Sequence, residues 1–387
     1  MMSITKAANK IGPLLALISV FSLFAILGGQ KFCQLGTLND ILMLSVICGV
    51  AAVGATLIII SGGIDLSVGC TIAIVTVVIA KILNVKFGEE YIVVMHPILW
   101  PLFAIFIGII CGALIGCIIG ASVVGHVGRV VAILMGLLSI YWIANSGISI
   151  YIAVLIGIAV GVILWKINDL TIGKTPLPPF IVTLGLWASL RGTAKWIADE
   201  SAVYPDVTSI NKHSIWIYSI MSDIKIGNYI LPMPGVWIWF FLAIIIFLML
   251  KFTRFGRHLY AIGSNVNTAR LCGINVSKTM IIAYAIAIAC AGLAGVLRFA
   301  WLGMGDPTAD MGTELLVIAA VVIGGASLSG GVGSIGGTII GTLIIMIVYK
   351  GCTVLELKNF VQEIVTGGII VAAVTLDQLR KRKAFNK

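Results

Sequence analysis

Between Ile41 and Ile60 the chain carries no charged side chain, and stretches of this kind recur along its length. A helix needs about 20 apolar residues to cross the hydrocarbon of a bilayer, with a range of about 17–25. Windows of that size place spans near residues 11–29, 41–60, 67–84, 98–121, 129–146, 149–165, 178–198, 235–250, 279–300, 314–327, 333–349 and 361–377, twelve in all. The composition agrees: 60% of the 387 residues are hydrophobic and 10% charged, against about 25% charged in soluble domains. A soluble enzyme, a disordered chain and a disulfide-stapled secreted scaffold are excluded. The expectation is an all-α polytopic membrane protein, a single transmembrane domain over residues 1–387. Lys6 and Lys10 precede the first stretch without a clean small-residue cleavage site after it, so a retained helix is expected.

The net charge of +10 would suggest nucleic acid in a soluble protein, but here it has a topological reading. With the N-terminus inside and twelve spans, 15 Lys and Arg fall inside and 10 outside. Only three acidic residues (Asp65, Asp169, Asp377) fall inside, leaving +12 inside and −2 outside. The expected topology is N-in and C-in, with no nucleic-acid partner. Two loops are long: residues 199–234 outside, rich in Asp, Ser, Tyr and Pro, and the basic residues 251–278 inside. Of the eight cysteines, Cys48, Cys70, Cys111, Cys117 and Cys290 sit in apolar runs and act as small hydrophobes. No metal-ligand spacing occurs, and no disulfide between Cys33 and Cys352 is expected.

The segment Gly62–Gly69 (GGIDLSVG) recurs as Gly324–Gly331 (GGASLSGG), both reading G-G-x-x-L-S-x-G after an apolar run. Paired glycines end helices and free backbone groups that lipid cannot satisfy. Such backbone must pack in protein or line an aqueous cavity, and interrupted apolar segments in two halves of a chain point to a transport path. Asp65 and Ser67, or Ser327 and Ser329, can cap the helix that resumes. Asp65 is then either an N-cap at the membrane surface or a polar lining of that path. The glycine ladders Gly108/Gly112/Gly116/Gly120 and Gly333/Gly337/Gly341 let helices approach closely.

No catalytic constellation is present: the Walker A loop, H-E-x-x-H and G-x-S-x-G are all missing. Mid-span ionisable residues, which ion-coupled carriers need, are nearly absent, and Arg191, Lys195 and Arg298 are read as snorkelling toward outer span ends. Trp187 and Trp196, nine apart on one span, serve either as packing and interfacial anchors or as stacking surfaces for a solute. A transporter with neither ion site nor nucleotide site borrows its energy from another subunit.

Several stretches resemble the permeases of bacterial monosaccharide ABC importers, the ribose/xylose/galactoside group. They are Leu57–Gly69 (LIIISGGIDLSVG), Pro178–Gly185 (PPFIVTLG), Thr253–Ile274 (TRFGRHLYAIGSNVNTARLCGI), Ile318–Gly333 (IAAVVIGGASLSGGVG) and the end Leu376–Lys383. The likeness covers most of residues 41–383, in order. It implies a fold like the ten-helix vitamin B12 importer, a second permease copy as dimer partner, an ABC ATPase subunit inside and a sugar-binding protein outside. It also implies residence in the lipid bilayer of the bacterial inner membrane. ATP would be used by the partner subunit, with no cofactor on this chain.

By the same resemblance, Arg254, Gly256, Arg257, Gly263, Asn265, Ala269, Arg270 and Gly273 belong to the segment that docks on the ATPase. Gly62, Gly63, Asp65, Ser67, Phe180 and Thr183 lie near the translocation path, and Gly324, Gly325, Ser327 and Ser329 join them through the repeat. The outer loop 199–234 would help receive the binding protein. Three departures stand out. Residues 100–150 have no counterpart and read as a two-span insertion, Glu314-Leu315-Leu316 replaces an E-L-D, and Thr268 and Cys272 stand where Ala and Ser are common. Nucleosides or another small polar solute remain open as substrates, and an ion-driven carrier remains the rival from another class.

Overall fold

The computed structural model describes residues 2–146, 149–171, 176–205, 215–226, 229–358, 360–369, 371, 372 and 375. The middle of the outer loop and the basic end Leu376–Lys383 lie outside the described residues. The helices are α1 (Met2–Cys33), α2 (Leu35–Ile60), α3 (Val68–Leu83), α4 (Ile92–Met95), α5 (Leu99–Ala121), α6 (Val127–Asn145), α7 (Ile150–Thr171) and α8 (Pro179–Ile197). They continue with α9 (Ile215–Ser219), α10 (Pro234–Phe252), α11 (Arg254–Ser264), α12 (Val266–Leu271), α13 (Val276–Leu302), α14 (Thr313–Ile323) and α15 (Ile335–Val354). Residues 360–369 form α16.

The fold is not purely helical. Short antiparallel hairpins pair Lys86–Phe87 with Glu90–Tyr91 and Ile224–Ile226 with Tyr229–Leu231. Both lie in connections between the long apolar helices, where water can satisfy the outer edges of a two-stranded ribbon that lipid would leave unpaired.

Seven helical stretches among the described residues are long and apolar enough to cross a bilayer: Gly12–Cys33, Leu35–Ile60, Leu99–Asn145, Ile150–Asp169, Pro234–Phe252, Val276–Leu302 and Ile335–Val354. Two of the windows read as spans behave differently. Helix α3 has 16 residues and α14 only 11, below the crossing length. Each follows a non-helical segment, residues 61–67 and 303–312, that folds back along the bundle.

Helix α2 is the central post. Every residue from Ser45 to Ile60 is buried, as expected of a helix apolar on all sides. Its Gly49 faces the Trp239 ring and its Gly54 the backbone of Ala287 on α13. The ladder on α5 meets α13 in the same way. A Cβ on Gly112 would fall on the Ile288 carbonyl and 3.0 Å from Gly292 Cα, and one on Gly116 on the Tyr284 carbonyl and 2.8 Å from Ala285 Cα. The second ladder seats α15 on α14, Gly341 against the Ala320 carbonyl and Gly337 against that of Gly324. Residues 100–150 divide between two packings. Helix α5 belongs to the core, whereas α6 pairs with α7 through Gly136 and Gly157, closed by Arg129–Asp169 at 3.0 Å.

Gly116→Ala should lower the melting temperature of the detergent-solubilised protein, at a cost of about 1–3 kcal/mol for overpacking. Gly185 has nothing within 4 Å of a built Cβ. Gly185→Ala should therefore leave the melt unchanged or raise it slightly, through reduced unfolded-state entropy. Equal melts for the two variants would contradict the backbone contact at Gly116.

Candidate functional site

Both glycine repeats end a helix by one device. Gly62 sits at φ +84; its N–H donates to Ile59 O at 3.0 Å and that of Gly63 to Ile58 O at 2.9 Å. In the second copy the left-handed residue is Gly325, φ +96, with Gly325 N–H to Val322 O at 2.9 Å and Ala326 N–H to Val321 O at 3.1 Å. This is the Schellman pattern twice. The structural equivalence is Gly62 with Gly325, one residue off the sequence alignment.

The copies then diverge. In the first, Asp65 Oδ1 accepts from Ser67 N–H at 2.8 Å and α3 begins at Val68. In the second, two more left-handed glycines, Gly330 and Gly331, delay the helix. Its cap is Ser334, whose Oγ accepts from Gly337 N–H at 3.2 Å. Neither Ser327 nor Ser329 caps it, and Ser67 makes no side-chain cap bond either.

The two breaks and the basic loop meet. Gly331 N–H donates to Ile60 O at 2.8 Å, closing break onto break. Gly263, one residue from the end of α11, fits between them: a Cβ there would strike the Ile60 carbonyl and approach Gly331 N to 2.5 Å. A Cβ on Gly330 would lie 2.7 Å from Gly263 O and 2.8 Å from Gly62 N. Tyr260 adds a hydrogen bond from its hydroxyl to Gly333 O at 2.9 Å. Burial pushes that phenol above its ordinary range, which keeps it a donor at neutral pH.

The rest of the basic loop is arranged to present a surface. Leu259, Ile262 and Ala269 are buried. Thr253 caps α11 through Gly256 N–H at 3.2 Å, and Asn265 caps α12 through Thr268 N–H at 3.0 Å. Gly256 lies against the Leu250 backbone, and Gly273 (φ +78) ends α12. Arg254, Arg257, Arg270 and Leu271 stand exposed. Of the eight residues singled out in this loop, the three arginines face outward and the other five set the loop's shape.

Farther along the bundle, groups that the sequence scatters over 250 residues come together. Thr183 bonds Ile64 O at 3.3 Å, tying α8 to the first break, while Phe180 on the same helix is exposed. Arg191, 5% exposed, donates Nη1 to Pro307 O at 3.0 Å and to Ala309 O at 2.8 Å. Trp187 Nε1 donates to Glu314 Oε1 at 3.2 Å, and a Cβ on Gly69 would strike Glu314 Oε2 and the Asp310 carbonyl. Arg298 Nε lies 2.9 Å from Asp310 Oδ2.

Arg191 and Arg298 are thus not snorkelling; they hold the re-entrant backbone and a buried carboxylate. The two tryptophans differ in the same way. Trp187 bonds Glu314, whereas Trp196 is exposed and makes a T-shaped contact with Tyr141, 5.2 Å between centroids. Sequence reading missed Glu314, Asp310, Arg191, Arg298 and Tyr260. The usable signal for Arg191, Arg298 and Glu314 was a charge inside or at the edge of an apolar window, which in a membrane chain marks function by default.

A family model described as the permease component of the branched-chain amino acid transport system matches residues 127–374. The chain belongs to this family of transport permeases. Within it, the chain stands with sugar-transporter permeases. It is 37% identical over 235 residues to the D-allose transport system permease protein AlsC of Escherichia coli, 60% of this chain and 69% of that protein. It is 31% identical over 369 residues to the ribose import permease protein RbsC of Escherichia coli, 95% of this chain and 94% of that one. The xylose transport system permease protein XylH of Haemophilus influenzae is 30% identical over 397 aligned residues, 96% of each chain. No solved structure matches it significantly.

Arg191→Met strands the Pro307 and Ala309 carbonyls and should cost about 1–3 kcal/mol for each, read as a lowered melt; Arg191→Lys should recover part of it. Gly263→Ala should open the junction, measured as faster maleimide labelling of a cysteine placed at Ser264. Unchanged labelling there would exclude the three-way contact as a constraint.

Proposed function

We propose that this chain is the membrane subunit of an ATP-driven importer that passes a monosaccharide, of the ribose, xylose or allose kind, through the bilayer. It would work with an ABC ATPase on the side of the basic loop, an extracytoplasmic sugar-binding protein on the other and a second copy of itself. Twelve crossings are proposed, N-in and C-in, with α3 and α14 as half-helices entering from opposite ends, in the bacterial inner membrane. Chemistry on the solute is not required, since the free energy comes from ATP hydrolysis in the partner.

The carrying observation is the glycine junction. Residues Arg254–Leu271 form a short two-helix unit whose outward face is basic and whose inward face is seated on both helix breaks. Movement of that unit by an ATPase would bear on the two places where the bundle is not helical. Residues Gly62, Gly63, Asp65, Ser67, Phe180, Thr183, Gly324, Gly325, Ser327 and Ser329 are proposed to border the path.

One observation favours a second reading. Asp65 and Glu314 are both buried beside the breaks, which is the placement an ion-driven carrier would use. The two readings separate cleanly. The importer reading expects no sugar uptake into liposomes by this chain alone under a proton or sodium gradient, and uptake when ATPase, binding protein and ATP are supplied. Arg257→Glu with Arg270→Glu should abolish co-purification of the ATPase while leaving the melt within about 0.5 kcal/mol, as for exposed positions. Gradient-driven uptake by the chain alone would overturn the importer reading.

A further inference from the structure

The re-entrant segment that Arg191 grips has a second side, and that side closes a cavity. A half-open cavity of about 260 Å³ lies between α2, α13, α14 and α15, bordered by Cys48, Arg298, Trp301, Asp310, Thr313 and Tyr349 among others. Trp301 is next to the last residue of α13, so the cavity lies at the end of the bundle opposite the basic loop, where that helix begins. Trp301 and Tyr349 are part-exposed at 37% and 41%, which leaves the cavity accessible.

The cavity is built rather than incidental. The Asp310 side chain is 6% exposed, ion-paired to Arg298 at 2.9 Å and bonded by Thr313 Oγ1 at 3.1 Å. Its backbone is held at φ +54, a left-handed conformation unfavourable for a residue with a side chain and one that concentrates at ligand clamps. The Arg298 guanidinium lies 4.5 Å from the centre of the Trp301 ring. Carboxylate, guanidinium and hydroxyl therefore sit beside an indole and a phenol.

That combination suits a small polyhydroxylated solute. Adjacent hydroxyls can donate to the carboxylate and accept from the guanidinium, while the C–H face of a sugar ring lies on an aromatic ring. Small-molecule sites share this division between apolar walls and a few fixed polar groups. Negatively charged solutes are disfavoured by Asp310, and solutes without hydroxyls leave its ion pair unused.

We propose that this cavity is a sugar-binding subsite within the permease itself, with Asp310 and Arg298 contacting hydroxyls and Trp301 and Tyr349 the ring. The proposal deepens the monosaccharide reading above and rests on it. Occupancy would be felt by the first break as well, because the Asp310 carbonyl packs on Gly69 at the start of α3.

The test is equilibrium dialysis of radiolabelled D-ribose, D-xylose and D-allose against the full chain in lipid nanodiscs, without binding protein, beside uptake by the complete importer in proteoliposomes. Binding of one of these sugars is expected, weakened about tenfold or more by Trp301→Leu, the loss of about 1.4 kcal/mol of stacking. Asp310→Asn should weaken it likewise, while Trp237→Leu, on the exposed face of α10, should leave it unchanged. Because Trp301 is part-exposed, Trp301→Leu remains informative even where Asp310→Asn destabilises the chain. Equal binding by wild type and Trp301→Leu would overturn the subsite. So would an importer that takes up a sugar its permease does not bind, and that result would leave the transport reading standing. An importer that takes up none of the three would count against the monosaccharide reading, separately from the binding result.

Discussion

Hydrocarbon offers no water to an unpaired N–H or C=O, and that constraint governs this molecule wherever its chain leaves the helix. Among the described residues, three such stretches lie within the bundle, residues 61–67, 303–312 and 324–334. Each is paired from outside itself. Ile60 O is met by Gly331 N–H, Ile64 O by Thr183, and Pro307 O and Ala309 O by Arg191. Gly305 exchanges both backbone bonds with Val203, and Asp306 N–H reaches Thr76. The buried posts α2 and α13 hold these partners in place, so the irregular backbone is a consequence of the regular core around it.

What could be read in the sequence divides along the same line. Uniformly apolar windows and glycine ladders are local patterns, and they located the long helices and their close faces, Gly112 against α13 and Gly341 against α14. The paired glycines located both breaks, but the caps fall on Gly62 and Gly325 rather than on aligned positions, because a Schellman turn is defined by φ and not by residue name. The resumption of the second helix at Ser334 was hidden by Gly330 and Gly331, whose left-handed backbone prolongs the loop.

The charged groups were illegible for a different reason. Arg191, Arg298, Asp310 and Glu314 lie near the ends of hydropathy windows, where a long side chain ordinarily reaches water. That inference assumes straight spans. Once residues 303–312 turn back into the bundle, the end of a window is no longer at the membrane surface, and Arg191 finds carbonyls in place of solvent. Depth in the membrane depends on tertiary pairing here, so no window of the sequence contains it.

The nature of the junction also bears on how force passes through it. Side chains can change rotamer and absorb a displacement; backbone packed on backbone cannot, since close-packed interiors transmit strain rather than dissipate it. Gly263 touches Ile60 and Gly331 with no side chain between them, and α11 is stiffened at its start by the Thr253 cap. A shift of α11 therefore reaches both breaks together, before any helix need bend. Ile60 ends a helix buried without a gap from Ser45 onward, and the backbone beyond it runs through Gly62 to Asp65, whose Oδ1 holds Ser67 N–H, and to Ile64, whose carbonyl accepts from Thr183.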